Sequence, residues 1–318
     1  MTAIRRNILN NTAARDQFLQ GMVLLDQEMP GITAGDVQAF LQNNVPHITI
    51  QGLNQQLSTY DLFVLWHVVA MGISLPVGNA AHSGPIFLPW HRLYLIRLEE
   101  ELQRVLGDDD FGLPYWDWAA DGQLSTFQQV NADIWSTQNI GTSRGVVNDG
   151  AVADMRVRLF NFAGNRIASV EPRRIQRQAS NQSARRLPRK VDVQAALDAI
   201  PYDEANWDIN NNAHRNVLEG WHNGPALHNR VHVWIGGDMG PGSSPNDPAF
   251  FLNHCNVDRI WEAWMMNQGR DYRPQVGEGP QGHRIDSAMV SILGQSLRPI
   301  DVLDPSQWYS YDDLNVAA

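Results

Sequence analysis

Apolar positions recur every three or four residues over several stretches of the chain, and each such stretch predicts a helix. Residues 12–45 carry two, Ala13 to Glu28 and Ala34 to Asn43, that read as a packing shell. From Ser58 the pattern strengthens. Ser58 and Thr59 can cap a helix whose stripe holds Phe63, His67 and Met71 at four-residue spacing. A loop marked by Pro76, Gly78, Gly84 and Pro85 leads into the clearest helix of the chain. There His91, Leu95, Leu98, Leu102 and Val105 form the stripe, with Arg97, Glu100, Gln103 and Arg104 on the other faces. Gly107 and three aspartates end it, and Leu113 to Trp118 is aromatic and irregular.

Residues 120–190 lose the helical period. Gly, Asn, Ser and Thr are frequent, and Met155 to Phe160 alternates as a short strand does. Arg173 to Lys190 holds seven basic residues and no acidic one, which predicts a solvated loop. Order returns with helices expected at Val191 to Ile200, Asn212 to Leu218 and His228 to Trp234. A Gly/Pro/Ser loop spans Gly236 to Pro245, and a last helix presents His254, Val257, Trp261 and Trp264 on one face. Two histidine-bearing helix pairs therefore flank a strand-and-loop insert. The expectation is one mainly α domain over residues 1–318.

Composition narrows what such a domain does. With Lys+Arg 24 against Asp+Glu 34 the formal charge is −10, which disfavours nucleic acid as a partner and supplies no polybasic membrane patch. No apolar run approaches the roughly 18 residues of a membrane span. The paired Arg5 and Arg6 are followed by polar residues instead of an apolar core, so no export signal is expected. Residence in the cytoplasm, or export only in a partner's company, follows. The single cysteine, Cys255, excludes an intramolecular disulfide framework. Trp66, Trp90, Trp116, Trp118, Trp221, Trp234, Trp261 and Trp264 cluster with the histidine-rich segments, as if walling something.

Six of the ten histidines fall into two triplets, His67/His82/His91 and His228/His232/His254. His228 and His232 lie one helical turn apart, so their rings can share a metal. Each of the six sits on, or just before, a helix whose apolar stripe it continues. Burying six unpaired imidazoles would cost about 1–3 kcal/mol apiece, and a metal removes that cost. A zinc hydrolase would show His-Glu-x-x-His, but Asn229 follows His228 and cannot act as that base. All-imidazole ligation suits copper, less decisively zinc or iron. His47, His214, His222 and His283 read as ordinary core or surface residues, and His283→Ala is expected to spare metal and activity.

Two stretches resemble the copper-binding signatures of the tyrosinase family of type 3 copper proteins. One runs from His82 through Gly84-Pro85 and Leu88-Pro89-Trp90-His91-Arg92; the other from Ser244-Pro245-Asn246-Asp247-Pro248 through Asn253-His254 to Asp258-Arg259-Ile260-Trp261. Leu227-His228-Asn229-Arg230-Val231-His232, Leu113 to Trp118 and Tyr309-Ser310-Tyr311 match as well. The resemblance implies a four-helix bundle holding two copper ions, one on each histidine triplet. It also implies dioxygen as co-substrate, with o-diphenols oxidised to o-quinones and monophenols hydroxylated at the ortho carbon. Glu219 and Asn229 fit the positions of a Glu–Asn pair proposed to hold a water as base. Phe87 and Phe250 resemble phenylalanines that pack on ligand rings, and Asp258 and Arg259 resemble residues that brace the ligand helices.

The chain also departs from the family pattern. The usual His-His pair is Asn253-His254, which puts neighbouring polar contacts in doubt. Ala80 precludes the Cys–His thioether of fungal and plant members, and Cys255 is expected to be a small buried residue. Little chain follows Tyr311, so no C-terminal lid domain is expected. Gly242 and Ser243 lie in a slim loop at the expected entrance, and Val233 is apolar where some bacterial tyrosinases carry Arg. Together with Asn253 this raises an o-aminophenol oxidase as the alternative; a haemocyanin-like carrier and a dinuclear hydrolase are rivals from other classes. The expected partners are a small phenolic substrate and a copper-delivery protein.

Overall fold

The computed structural model describes residues 2–45, 47–181, 183–222 and 224–318. Strand β1 (Ala3–Arg5) opens the chain, followed by α1 (Thr12–Gln27), α2 (Ala34–Asn44) and the two-residue β2 (Thr49–Ile50). Helices α3 (Thr59–Gly72) and α4 (Phe87–Leu106) carry the first histidine triplet. The insert holds short helices α5 (Trp118–Asp121) and α6 (Thr126–Val130) and strands β3 (Arg144–Val146), β4 (Phe160–Ala163), β5 (Arg166–Ser169) and β6 (Gln176–Gln178). Then come α7 (Lys190–Asp198), α8 (His214–Glu219), α9 (Leu227–Ile235), α10 (Ala249–Gln268), α11 (Pro299–Val302) and β7 (Tyr309–Tyr311). The fold is mainly α, with α3, α4, α9 and α10 gathered around the histidines.

Local chemistry sets these boundaries. Ser58 closes a capping box with Asp61 at the start of α3. Helix α4 takes Pro89 in its first turn and ends on Gly107 at φ 65, a left-handed conformation that glycine adopts without strain. Helix α3 was expected to bury one stripe; instead every residue from Thr59 to Ala70 is buried, because α1, α4 and the Ser244–Asn246 turn all surround it. Tyr94 of α4 donates to the Phe63 carbonyl at 2.9 Å, and the Trp66 and Trp90 rings meet edge-on at 5.6 Å. Of the clustered tryptophans, Trp90 lies against the His67 and His91 rings at 5.9 and 4.8 Å, whereas Trp264 stacks on His214 and Trp116 packs on Trp135, away from the triads.

Two expectations for the insert need correction. The alternating segment Met155–Phe160 contributes a Val157–Arg173 bridge and only its last residue to a strand; that strand is β4, paired antiparallel with β5 (Phe160 opposite Ser169). Strand β2 adds to β5 in parallel, so this sheet runs β2-β5-β4. The first part of the basic run, Arg173 to Gln178, is not a solvated loop, whereas Arg185 is exposed in the irregular segment that follows. Arg177, fully buried in β6, donates to both carboxylate oxygens of Asp247 at 2.6 and 2.7 Å and to the carbonyls of Ile140, Gly141 and Thr142. Arg173 pairs with Asp238. A charge run usually faces water, but these acids lie about 65–70 residues downstream, on the loop after α9, and clamp the insert to it.

Behind the bundle, Asp258 ties α4 to α10. It accepts from Arg92, next to His91, at 2.6 Å, from Arg5 at 3.3 Å, and from the Tyr309 and Tyr311 hydroxyls at 2.5 and 2.6 Å. Burial alone would raise its pKa, but Arg92 and Arg5 hold the carboxyl below its ordinary value. Strands β1 and β7 pair in parallel over this cluster (Ala3 opposite Tyr309), which draws both ends of the chain onto the ligand helices.

Candidate metal centre

His67 projects from the middle of α3, His82 from the loop before α4, and His91 from the second turn of α4. One ring nitrogen from each lies within 4.8 Å of those of the other two. The backbone sets their tautomers. His67 Nδ1 faces the Gly242 carbonyl at 2.6 Å, and His91 Nδ1 faces the Phe87 carbonyl one turn back at 2.8 Å. A carbonyl only accepts, so each Nδ1 carries the proton and each Nε2 keeps its lone pair. Both Nε2 atoms are buried with no protein partner, and so is His82 Nδ1.

The second triad repeats the logic. His232 Nδ1 donates to the Met239 carbonyl at 2.8 Å, and His228 Nδ1 lies 3.2 Å from the Glu219 carbonyl and 3.0 Å from Asn229 Oδ1. Their Nε2 atoms then converge on His254 Nε2 at 3.0 and 3.3 Å. A proton on His254 could satisfy only one of the two, so lone pairs face each other in a buried space. A metal cation resolves that arrangement. Burial is the main cause that lowers the pKa of all six rings, to about 3 for His67 and about 4 for His232. They are neutral at pH 7, as ligation requires. The triads adjoin: His91 stacks on His254 at 4.2 Å, and His82 and His228 lie 6.1 Å apart. The donor set fits two copper ions.

A pocket of about 590 Å³ opens over His67, His82, His228 and His232. Val233, Asn229, Ser83, Trp221 and Met71 also face it, while Glu219 lies beneath this lining. Glu219 is fully buried at the end of α8; its Oε1 accepts from the Ser83 N–H at 2.7 Å and its Oε2 from Arg215 at 3.2 Å. Burial pushes its pKa up, against the pull of Arg215. Phe87 packs on His91 and His228 with centroids at 4.8 and 4.9 Å, and Phe250 on His254 at 4.1 Å. Gly242 supplies the carbonyl that orients His67, whereas Ser243 is buried with its hydroxyl unpartnered and does not line the pocket. Asn253 is buried with neither amide atom bonded to protein. Cys255 joins neither triad; it is buried, its thiol donates to the Leu113 carbonyl at 3.4 Å, and burial raises its pKa to about 12.

The family model for the common central domain of tyrosinase matches residues 57–267, the span that carries all six histidines. The chain belongs to the tyrosinase family. A tyrosinase of Streptomyces glaucescens is 37% identical over 258 residues, 80% of this chain and 88% of that one. Among solved structures, a variant polyphenol oxidase of Thermothelomyces thermophila shares the fold at TM-score 0.71 and 20% identity, covering 98% of this chain and 89% of that one. An octopus hemocyanin unit shares it at TM-score 0.56 and 17% identity, covering 98% of this chain and 69% of that one. Oxidase and carrier thus share a fold, and the sequence likeness is to tyrosinases. This tyrosinase-family chain is a copper-dependent phenol oxidase, a type 3 copper oxidoreductase; neither the o-aminophenol nor the carrier alternative is favoured. His67, His82 and His91 form one copper site and His228, His232 and His254 the other. No helix among the described residues is long and apolar enough to cross a membrane.

A tyrosinase-family site without the thioether must fix His82 by other means, and here the sequence reading missed the parts. His283 is the hydrogen-bonded core residue expected, but its bonds span the loop that carries His82. Its Nε2 donates to the Val77 carbonyl at 2.7 Å and its Nδ1 accepts the Ile86 N–H at 3.3 Å. Burial lowers its pKa to about 4, which keeps this neutral tautomer. A Cβ on Gly84 would sit 2.5 Å from its ring, so only glycine fits there. Asn79 accepts the His82 N–H at 2.8 Å, Tyr202 donates to the Pro85 carbonyl at 2.7 Å, and Glu219 pins Ser83, whose φ is 63. His283→Ala is therefore expected to weaken copper at the first site by about 10–100-fold, measured by competition with a chelator. His283→Gln, which can both donate and accept, should recover most of that. Unchanged copper affinity in His283→Ala would restore the bystander reading.

Proposed function

We propose that this oxidase acts on uncharged phenols in preference to free tyrosine. The observation that supports the reading is the chemistry of the pocket: among the described residues that line it there is no Asp, Glu, Lys or Arg. The ammonium and carboxylate of an amino acid would lose water there without gaining a charged partner. Val233, next to the His232 ligand, adds apolar surface. Trp221, 41% exposed at the pocket wall, offers a ring face to a planar substrate.

Bound copper supplies the two-electron exchange with dioxygen. The protein's own groups position the phenol and its proton. Asn229 Oδ1 accepts from His228 Nδ1, which leaves its amide N–H groups to hold a water or the phenolic oxygen. Glu219, buried beneath the pocket lining, would act through a water held with Asn229 as the base that takes the proton a monophenol must lose. A copper-delivery protein would serve the loading of two buried three-imidazole sites, and the chain would stay in the cytoplasm or leave it with that partner.

Oxygen uptake with p-cresol and L-tyrosine, and with 4-methylcatechol and L-dopa, tests the preference. The uncharged member of each pair is expected to show kcat/KM higher by about tenfold or more. Equal values, or a preference for the amino acids, would sink the proposal.

A further inference from the structure

Beside the copper-facing pocket lies a second hollow of about 470 Å³, walled by the last turn of α3, strand β4 and the loop at Pro241 and Gly242. Met71 and Pro241 line both spaces, so the two meet across one thioether and one proline ring. The walls of the second space carry no charged side chain, and Asn161 is its one polar side chain among the described residues.

Two large apolar residues are left partly in water here: Met71 is 37% exposed and Phe162 40%. The backbone is shaped to keep them there. A Cβ on Gly72 would lie 2.6 Å from the Phe162 ring, so that ring rests directly on the helix end. A Cβ on Gly242 would lie 3.1 Å from Met71 Sδ, so the thioether packs against bare loop backbone. The same Gly242 turns its carbonyl to His67. Methionine is unbranched and adaptable, and at this junction it can shift to let a planar group pass.

We infer that the second hollow is a substrate subsite: it takes the distal aromatic ring of an uncharged two-ring phenol whose reacting ring lies over the histidines. The inference rests on the phenol-oxidase reading and extends it from the reacting ring to the rest of the molecule. Adjacency to the copper-facing pocket points to the occupant, because a ring that displaces the Met71 thioether and lies beyond Pro241 would remain tethered to the ring being oxidised. The absence of charge in both spaces calls for an uncharged linker and ring.

The test compares catechol with 4-benzylcatechol in copper-loaded parent protein, Phe162→Ala and Asn161→Trp, the first removing the aromatic wall and the second filling the space. Both residues lie outside the copper-facing pocket. Melting temperature and copper content establish that each variant is folded and loaded. The parent is expected to show KM for 4-benzylcatechol lower than for catechol by about tenfold. Both variants should erase that advantage and leave catechol kinetics as they are. A KM ratio unmoved by either variant, or moved instead by Trp221→Ala, would overturn the subsite. Absence of catechol turnover in the loaded parent would overturn the oxidase reading and the subsite with it.

Discussion

His232→Ala is expected to leave a protein that binds one copper per chain and turns over no phenol. The ring it removes is one of three whose Nε2 atoms converge, and His228 and His254 alone would offer two nitrogens 3.0 Å apart. Loss of an outer partner such as a Met239 carbonyl typically costs about 10–100-fold in metal affinity, and loss of a ligand costs more. The second site should therefore empty in any chelating buffer, while the first triad, built on α3, α4 and their loop, keeps its metal. Copper also stabilises the fold by binding the native state alone, so the rise in melting temperature on loading should shrink. Metal analysis and oxygen uptake on the same sample measure both effects. His214→Gln is the control. His214 is equally buried, but it stacks on Trp264 at 4.3 Å and its Nδ1 faces the Ala196 carbonyl at 2.7 Å, away from either triad. Full activity in His232→Ala, or loss of copper in His214→Gln, would refute the ligand assignment.

The ligands were legible in the sequence because their signal is local. Two imidazoles one turn apart, and single histidines continuing an apolar stripe, are patterns that a helix imposes on neighbouring residues; His82, in the loop before α4, lies outside that pattern and was picked out by the motif its segment shares with the family. The longer helices were legible to within a few residues for the same reason, while the four- and five-residue helices α5, α6 and α11 were not read. What fixes those ligands was not legible, because the bonds run between distant parts of the chain. Glu219 holds the N–H of Ser83 across 136 residues, and His283 holds Val77 and Ile86 across 206 and 197. Nothing around His283 distinguishes it from a surface histidine; only the fold brings it under the His82 loop. Arg177 makes the same point, since a basic run looks solvated until Asp247 is placed against it. Helix α3 shows the converse: its sequence is apolar nearly all round, and the reading of a single stripe underused that signal.

Glu219→Gln should slow monophenols by about 100-fold or more while changing o-diphenol oxidation little. A monophenol with an ordinary pKa near 10 must give up its proton before its ring can be hydroxylated, and a buried carboxylate of raised pKa is suited to accept it through a water held with Asn229. An o-diphenol delivers protons together with electrons, and dioxygen takes up both as water forms, so it asks less of a protein base. Glutamine is the informative replacement. Its carbonyl oxygen can still accept the Ser83 N–H, and Arg215 keeps Asp203 at 2.7 Å. Alanine would strip both contacts and leave a buried guanidinium half-paired, at a cost of about 3–5 kcal/mol. Glu219 also holds the loop that carries His82, and a residue that acted only through that loop would, when changed, slow both substrate classes alike and loosen the first copper. The two roles thus separate in one experiment: kcat for p-cresol and for 4-methylcatechol, on protein shown to hold two coppers. Equal slowing of the two would leave Glu219 as a positioning residue and remove it from proton transfer.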